Sequence, residues 1–371
     1  MLTLPEKIAF ILLTISSLSL SWFSFSTMFK VVGIGTKSID WKLVLLNWPK
    51  GLAAFIGQKT LFKTRPVVGF IHALVAWGFT FYLIVNVFDV LYGFIPGFHF
   101  FPNYIIGKAY RIFVDIFTVL VLFGVIYFLV RRFITKDYRL EINSPVMLSD
   151  EAKVGMKRDS LLVGAFILLH VGSRFLSASF EIAQNKPDWY QPAATMLSMS
   201  WSGMDFESLV MFEHISWWLA LGLILGFLPY FPYSKHAHLF MGPLNIMTLE
   251  DRSSMTAIET INFEDDSIEQ FGAKSLKDLP QTQLLDAYAC IQCSRCQDAC
   301  PAYETGKELS PSALEINKRY FINNNSKSLI EGEAKEIPLT DWMLTEEAAW
   351  SCTTCGFCVE VCPVGNEPML D

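Results

Sequence analysis

Eight cysteines stand in two short rows near the C-terminus. The first reads Cys290-Ile-Gln-Cys293-Ser-Arg-Cys296-Gln-Asp-Ala-Cys300-Pro301, and the second Cys352-Thr-Thr-Cys355-Gly-Phe-Cys358-Val-Glu-Val-Cys362-Pro363. Both have the spacing C-x2-C-x2-C-x3-C-P, and no cysteine lies outside them. Three thiolates so spaced hold one side of a cubane iron–sulfur cluster, and the fourth, next to proline, reaches across to the other cluster. The expected ligand sets are Cys290, Cys293, Cys296 and Cys362 for one [4Fe–4S] cluster, and Cys352, Cys355, Cys358 and Cys300 for the other. Zinc sites use pairs of C-x2-C rather than triplets with a trailing C-x3-C-P. Disulfide frameworks belong to small secreted domains.

Histidine is the second chemistry-bearing residue type. Of six, His72, His170 and His214 fall inside long apolar stretches, and His236 and His238 follow the last of these. Ionisable residues in lipid are costly and usually functional. Beside two clusters, their expected use is axial ligation of haem iron. The alternative is an interhelical hydrogen bond. His99, in an aromatic loop, reads as a surface residue.

The elements that must position these residues follow from hydropathy. With 52% hydrophobic residues and 31 Phe in 371, the chain reads as a membrane protein. Five spanning helices are expected at about 6–32, 66–92, 110–134, 159–183 and 209–233, each with the ~20 apolar residues a bilayer requires. The first is long enough to span rather than to be a cleaved signal. Lys37, Lys42, Lys50, Lys59, Lys63 and Arg65 lie between the first and second helices. Arg131, Arg132, Lys136, Arg139, Lys153, Lys157 and Arg158 lie between the third and fourth. The alternate loops hold only Lys108 and Lys186. Basic loops stay inside, so the N-terminus is expected outside and the cysteine rows in the cytoplasm of a cell with this protein in its inner membrane. Residues 38–63 are expected to form short amphipathic helices at the inner interface.

Ligands of one iron must lie at similar depth. His72 lies ~9 Å from the inner edge and His170 ~16 Å, while His214 is ~28 Å away, at 1.5 Å per residue. His72 with His238, or with His236, makes an inner haem. His170 with His214 is the candidate outer pair, with a mismatch of ~11 Å before tilt. Arg174, one turn beyond His170, is a candidate for a haem propionate; the alternatives are pairing with Glu181 or Asp205, or snorkelling to the interface.

From Leu239 to Asp371 the chain has 22 acidic and 9 basic residues, a net of −13, so the other 238 residues carry +6 of the overall −7. A basic membrane part and an acidic soluble part are expected, with no basic patch suited to nucleic acid. The domains read as 1–240 (membrane), 241–282 (a linking strap) and 283–371 (two clusters). Ser310-Pro311 is the expected start of a helix to Phe321. The fold class is all-α: a five-helix transmembrane cytochrome b domain fused to an α-helical two-cluster ferredoxin domain.

These residues resemble a known family. Gly69-Phe-Ile-His72 with Gly78-Phe79, and Pro232-Tyr-Ser-Lys-His-Ala-His238-Leu-Phe-Met-Gly-Pro243, are similar to the gamma subunit of membrane nitrate reductase and to the cytochrome b subunit of heterodisulfide reductase. The Ser-Lys-x-x-His pattern puts the ligand on His238 rather than His236. The cysteine part resembles the iron–sulfur portion of heterodisulfide reductase. The fusion resembles membrane iron–sulfur oxidoreductases that link electron-transfer flavoprotein to menaquinone.

The resemblance implies an oxidoreductase subunit with two [4Fe–4S] clusters, one or two haems b and menaquinone as substrate. Its partners would be the lipid bilayer and a cytoplasmic redox protein, either electron-transfer flavoprotein or a cysteine-rich catalytic subunit. Two departures stand out. The outer-haem histidines of the nitrate reductase pattern are Tyr82 and Ala220 here. The chain also ends nine residues after Cys362, without the catalytic repeats of fused relatives. Substrate chemistry is then expected on another subunit, or the sequence is a truncation. A heterodisulfide- or sulfur-reduction-linked subunit and a membrane redox sensor or scaffold are the alternatives. A transporter fits poorly, since no span is strongly broken and no repeat symmetry appears.

Overall fold

The computed structural model describes residues 2–256, 258, 262–264 and 270–370. Among them there are sixteen α-helices and no strand. In the first half lie α1 (Leu4–Val32), α2 (Trp41–Leu46), α3 (Trp48–Gly57), α4 (Lys59–Thr64), α5 (Pro66–Phe94), α6 (Ile105–Leu129), α7 (Asp150–Gln184) and α8 (Pro192–Ser198). Then come α9 (Phe206–Phe227), α10 (His238–Thr248), α11 (Gln281–Ala289), α12 (Arg295–Asp298), α13 (Pro301–Glu304), α14 (Pro311–Glu331), α15 (Glu346–Trp350) and α16 (Phe357–Glu360). Helices α1, α5, α6 with its π-helical extension to Ile134, α7 and α9 are long and apolar enough to cross a membrane.

The ends of these helices depart from hydropathy for local reasons. Helix α7 begins at Asp150 rather than near 159, because Ala152 and Met156 bury against Ile316 and Tyr320 of α14. Helix α9 stops at Phe227, before Pro229 and Pro232, whose rings disfavour helix in the residues preceding them. Two 3-10 turns follow, and then α10 occupies part of the stretch read as a strap, burying Met241, Asn245 and Thr248. Residues 38–63 do form short helices. Asp40 caps α2 by accepting from the amides of Lys42 (2.9 Å) and Leu43 (3.2 Å). The expected cap at Ser310 is present, its hydroxyl accepting from Ala313 N at 3.1 Å, and α14 continues ten residues past Phe321 to Glu331.

The chain divides into two compact units. One comprises residues 1–22, 67–134 and 161–230. Its core is Tyr82, Val85, Val114, Val121, Val125, Val163, Phe166, Ile167 and Val171. Phe166 stacks on Phe227 with ring centroids 4.0 Å apart. Gly78 lets α5 approach α6, since a Cβ there would come within 2.4 Å of Val121 Cγ2. Ile105, Phe113, Phe123 and Leu219 point outward, a surface suited to acyl chains rather than water.

The other unit comprises residues 23–66, 135–160 and 231–371. Helix α10 packs against α2, α3 and α11. Asn47 Nδ2 donates to Met247 O (3.2 Å) and Leu249 O (3.0 Å), while Thr36 N donates to Leu279 O (3.0 Å). Helix α14 is polar in composition yet buried over most of Pro311–Ile322. It forms the spine on which the cysteine rows are built.

Candidate metal centre

Both cysteine rows fold as the same turn. The residue before the second cysteine, Gln292 or Thr354, has φ of 54° or 50°. The residue after it, Ser294 or Gly356, has φ of 57° or 72°. Left-handed backbone at both places turns the amides inward. Gln292 N then donates to Cys290 Sγ and Thr354 N to Cys352 Sγ, each at 3.4 Å. Such N–H···S bonds stabilise negative charge on sulfur. A one-turn helix follows each time, α12 or α16, carrying the third cysteine, and then Cys-Pro.

The fourth cysteines cross over. Cys362, from the second row, lines one cavity with Cys290, Cys293 and Cys296. A tether explains the crossing. Asn245 Nδ2 donates to Asp286 Oδ1 (2.5 Å) and to Val364 O (3.1 Å). Asn366 Nδ2 donates to Asp286 O at 2.8 Å, and Glu367 N to Asp286 Oδ2 at 3.0 Å. The strand of chain after Cys362 is thereby pinned beside the helix that leads into Cys290. Asn366 N also donates to Cys362 Sγ at 3.2 Å. Reciprocally, Cys300 stands in the field of Cys352 and Cys355, and Cys358 in that of Cys300 and Cys352.

The donor chemistry fits cubane clusters. No disulfide joins the eight cysteines. Among the described residues no three His, Cys, Asp or Glu side chains are arranged around a single ion. The four thiols that line one cavity match the donor number of a [4Fe–4S] core. Burial, then the nearby Glu315 carboxylate, pushes the Cys290 thiol up to about 12. Burial, then Cys300 and Cys352, does the same for Cys358. Such thiols lose their protons when iron replaces them as the charge partner.

Row surroundings differ. Around the first row, Arg65 donates to Cys293 O (2.9 Å) and pairs with Asp298, and Arg295 Nε donates to Thr64 Oγ1 (2.8 Å). Glu315, lining the same cavity, pairs with Lys318 at 3.3 Å, both fully buried. Arg319 is buried too. Its guanidinium donates to Ala287 O (2.9 Å), Tyr288 O (3.3 Å), Cys290 O (3.4 Å) and Ser234 O. Around the second row, Cys352, Thr353, Thr354 and Phe357 are exposed, and Trp350 is 83% exposed. Sequence reading missed Arg65, Glu315, Lys318 and Arg319. The last three look like a solvated helix face, and only their burial in the fold reveals them.

The histidines take distinct places. His238 Nδ1 faces Lys235 O at 2.7 Å. A carbonyl only accepts, so the proton sits on Nδ1 and Nε2 carries the lone pair, the form that binds iron. Burial depresses the basicity of His238 to about 4, keeping the ring neutral. His236 is buried beside it, with ring centroids 6.2 Å apart. In the other unit, His72 meets the edge of Phe128. His170 is buried, its Nδ1 donating to Ala220 O at 2.8 Å and its ring 5.8 Å from Tyr82. His214 instead pairs with Glu6 at 3.2 Å. The two positions lacking the family histidines, Tyr82 and Ala220, thus both pack on His170. Arg174 pairs with Asp89 at 3.3 Å. Both line a cavity of about 1000 Å³ with Tyr92, Tyr110 and Glu181.

Comparison with known proteins bears on the cysteine rows. The family described as 4Fe-4S dicluster domain matches residues 286–366. The chain is 30% identical to the probable iron-sulfur-binding oxidoreductase FadF of Bacillus subtilis over 352 residues, covering 84% of this chain and 46% of that one. It is 27% identical to the EtfAB:quinone oxidoreductase of Syntrophomonas wolfei over 329 residues, covering 81% and 44%. A probable membrane-anchored ferredoxin of Chromohalobacter salexigens is 31% identical over 116 residues, covering 27% and 17%. The chain therefore spans less than half the length of the first two relatives. No solved structure matches. The twin cysteine rows thus lie within a 4Fe-4S dicluster domain, in a chain with five helices long and apolar enough to cross a membrane.

Proposed function

We propose that the chain is a membrane conduit exchanging electrons between a soluble redox partner and a quinone, through two [4Fe–4S] clusters and a b-type haem. By likeness to the Syntrophomonas wolfei protein, the partner is electron-transfer flavoprotein. Menaquinone is the quinone implied by the family resemblance. In this reading residues 1–240 form the haem-bearing membrane domain, 241–282 the strap and 283–371 the two-cluster domain. The N-terminus lies outside and the cysteine rows lie in the cytoplasm, as the basic loops imply.

One observation carries the reading. Arg319 ties the carbonyls that lead into Cys290 to Ser234, whose turn bears His236 and His238. Lys235 N donates to Asp159 Oδ2 at 2.9 Å, and Asn323 Nδ2 to Tyr233 O at 3.2 Å, which hold the same turn from two further sides. A first-row cluster ligand and a candidate haem ligand are thus built into one rigid network. The clusters would carry one electron at a time. The chain's own contribution is to fix the thiols, to supply N–H···S bonds and to hold His238 in its iron-binding tautomer. Cys290, Cys293, Cys296 and Cys362 are assigned to one cluster, and Cys352, Cys355, Cys358 and Cys300 to the other. Tyr82 and Ala220 filling space around His170 supports one haem at His238 rather than an additional outer haem. The cavity beside Arg174 has the size of a small-molecule site and is the quinone candidate.

Reduced-minus-oxidised spectra of the purified chain test this. A b-type band that a menaquinol analogue reduces is expected, and it should vanish in His238→Ala. Absence of that band, or a band the quinol leaves oxidised, would remove the conduit reading. A His72→Ala variant with full haem content would remove His72 as a ligand.

A further inference from the structure

The two rows share a backbone but not an environment. The first is enclosed by Arg65, Arg295, Glu315 and Arg319. The second opens to solvent at Cys352. Flanking it are two large aromatic side chains, Trp350 at 83% and Phe357 at 57% exposure. Both follow from the local fold. Helix α15 has five residues and buries only Ala348, so Trp350 is turned outward, while in α16 only Cys358 is buried and Phe357 faces solvent. Aromatic anchors ringed by charge are the composition of a protein-binding surface. The charge here is acidic: Glu346, Glu347 and Glu360 are exposed on these two helices, and Glu304 on α13, with Lys307 the exposed cation of the adjoining loop.

We infer that this face, Trp350 and Phe357 around the second cysteine row, is the port at which a soluble one-electron redox protein docks through a basic surface. The inference rests on the conduit reading and adds an order to it. One electron leaves the partner's reduced cofactor, which is oxidised, and is taken up at the second row, which is reduced; no bond forms or breaks. The buried first row, tied to the His238 turn, comes after it. A basic partner surface is required because the port's carboxylates would repel an acidic one, and such steering changes association rates by about 10–10³.

Ferricytochrome c, a basic redox protein, is the probe, and ferricyanide, a small anion, the control. The full chain with its clusters is reduced with dithionite, freed of excess and mixed with each oxidant in stopped flow. Glu346→Lys with Glu347→Lys should slow the cytochrome reaction about tenfold at low salt and flatten its salt dependence. Oxidation by ferricyanide should be unchanged or faster. Trp350→Ser should slow only the cytochrome reaction. Independently of electron transfer, carbodiimide coupling should join the lysines of cytochrome c to Glu346, Glu347 or Glu360. Coupling mapped elsewhere, or an equal loss of rate from charge reversal at exposed Glu250 and Asp251, would overturn the port. Retained iron and cluster signals in the variants exclude misfolding. Normal cytochrome kinetics with a haem that stays oxidised would count against the conduit and leave the port standing.

Discussion

The first and second cysteine rows make a controlled comparison within one unit. Their backbones repeat, down to the left-handed residues at Gln292 and Thr354 and the N–H···S bonds to Cys290 and Cys352. Their surroundings do not repeat. The first row is walled in by side chains from the segment before α5 and from α14, and the second borders solvent. Local sequence therefore builds the ligand cage, and tertiary context decides what the cage is for. A buried cage suits an internal relay, and an exposed one suits exchange with a mobile partner.

The largest test of this contrast is to remove the crossing cysteines. Cys362→Ser should strip the buried site although the residue belongs to the exposed row. Cys300→Ser should strip the exposed site. Each variant should keep about four of about eight iron atoms. The survivor in Cys300→Ser should resist an aqueous chelator, and that in Cys362→Ser should bleach within the assay. Reversed chelator sensitivities would mean that each row holds its own cluster, and the crossing would be wrong.

Arg319→Met comes next. It removes a fully buried cation that donates to four carbonyls, at a cost of about 3–5 kcal/mol, the range for leaving buried partners unsatisfied. Thermal unfolding should shift strongly, and haem and first-row signals should be lost together. Loss of the second-row signal alone would contradict the network drawn from Arg319 to Ser234.

Much of this arrangement is legible in the sequence, for identifiable reasons. Cysteine spacing reports cage geometry directly, because only a few residues separate the ligands. Span hydropathy reports α1, α5, α6, α7 and α9, because lipid demands continuous apolar length. Ser310-Pro311 marks the start of α14 through capping chemistry. What stays hidden depends on distant partners. Glu315, Lys318 and Arg319 read as a solvated helix face, yet all three are buried, and Arg319 reaches carbonyls 31 and 85 residues away. Helix α10 escapes because Gly242 and Pro243 sit inside it, although Met247 packs against Gly51. The pairing of Arg174 with Asp89 joins residues 85 apart, and neither Glu181 nor Asp205 takes that place.

A smaller backbone test sharpens the comparison at Gly356 and Ser294, equivalent residues of the two turns. Gly356→Ala introduces a Cβ 2.9 Å from Ser254 Oγ in a residue with φ of 72°. It should cost about 1–2 kcal/mol, the scale for left-handed strain in a residue with a side chain. Ser294→Gly relieves the same strain but frees the unfolded chain, so its net effect should be within about 1 kcal/mol. Chelator half-lives read the two sites separately. Gly356→Ala should shorten only that of the exposed cluster.

The smallest expected effect is also informative. Phe357→Ser removes an exposed aromatic residue that is not part of the core, so stability should change by no more than about 0.5 kcal/mol. Ile316→Ala, on the buried spine of α14, should cost about 2–5 kcal/mol through the cavity it leaves. If Phe357→Ser destabilised the protein as much as Ile316→Ala, the aromatic side chain would be part of a core, and the second row would not be an open site. A near-silent Phe357→Ser melt would leave its exposure without a folding role, which is what a surface kept for a partner requires.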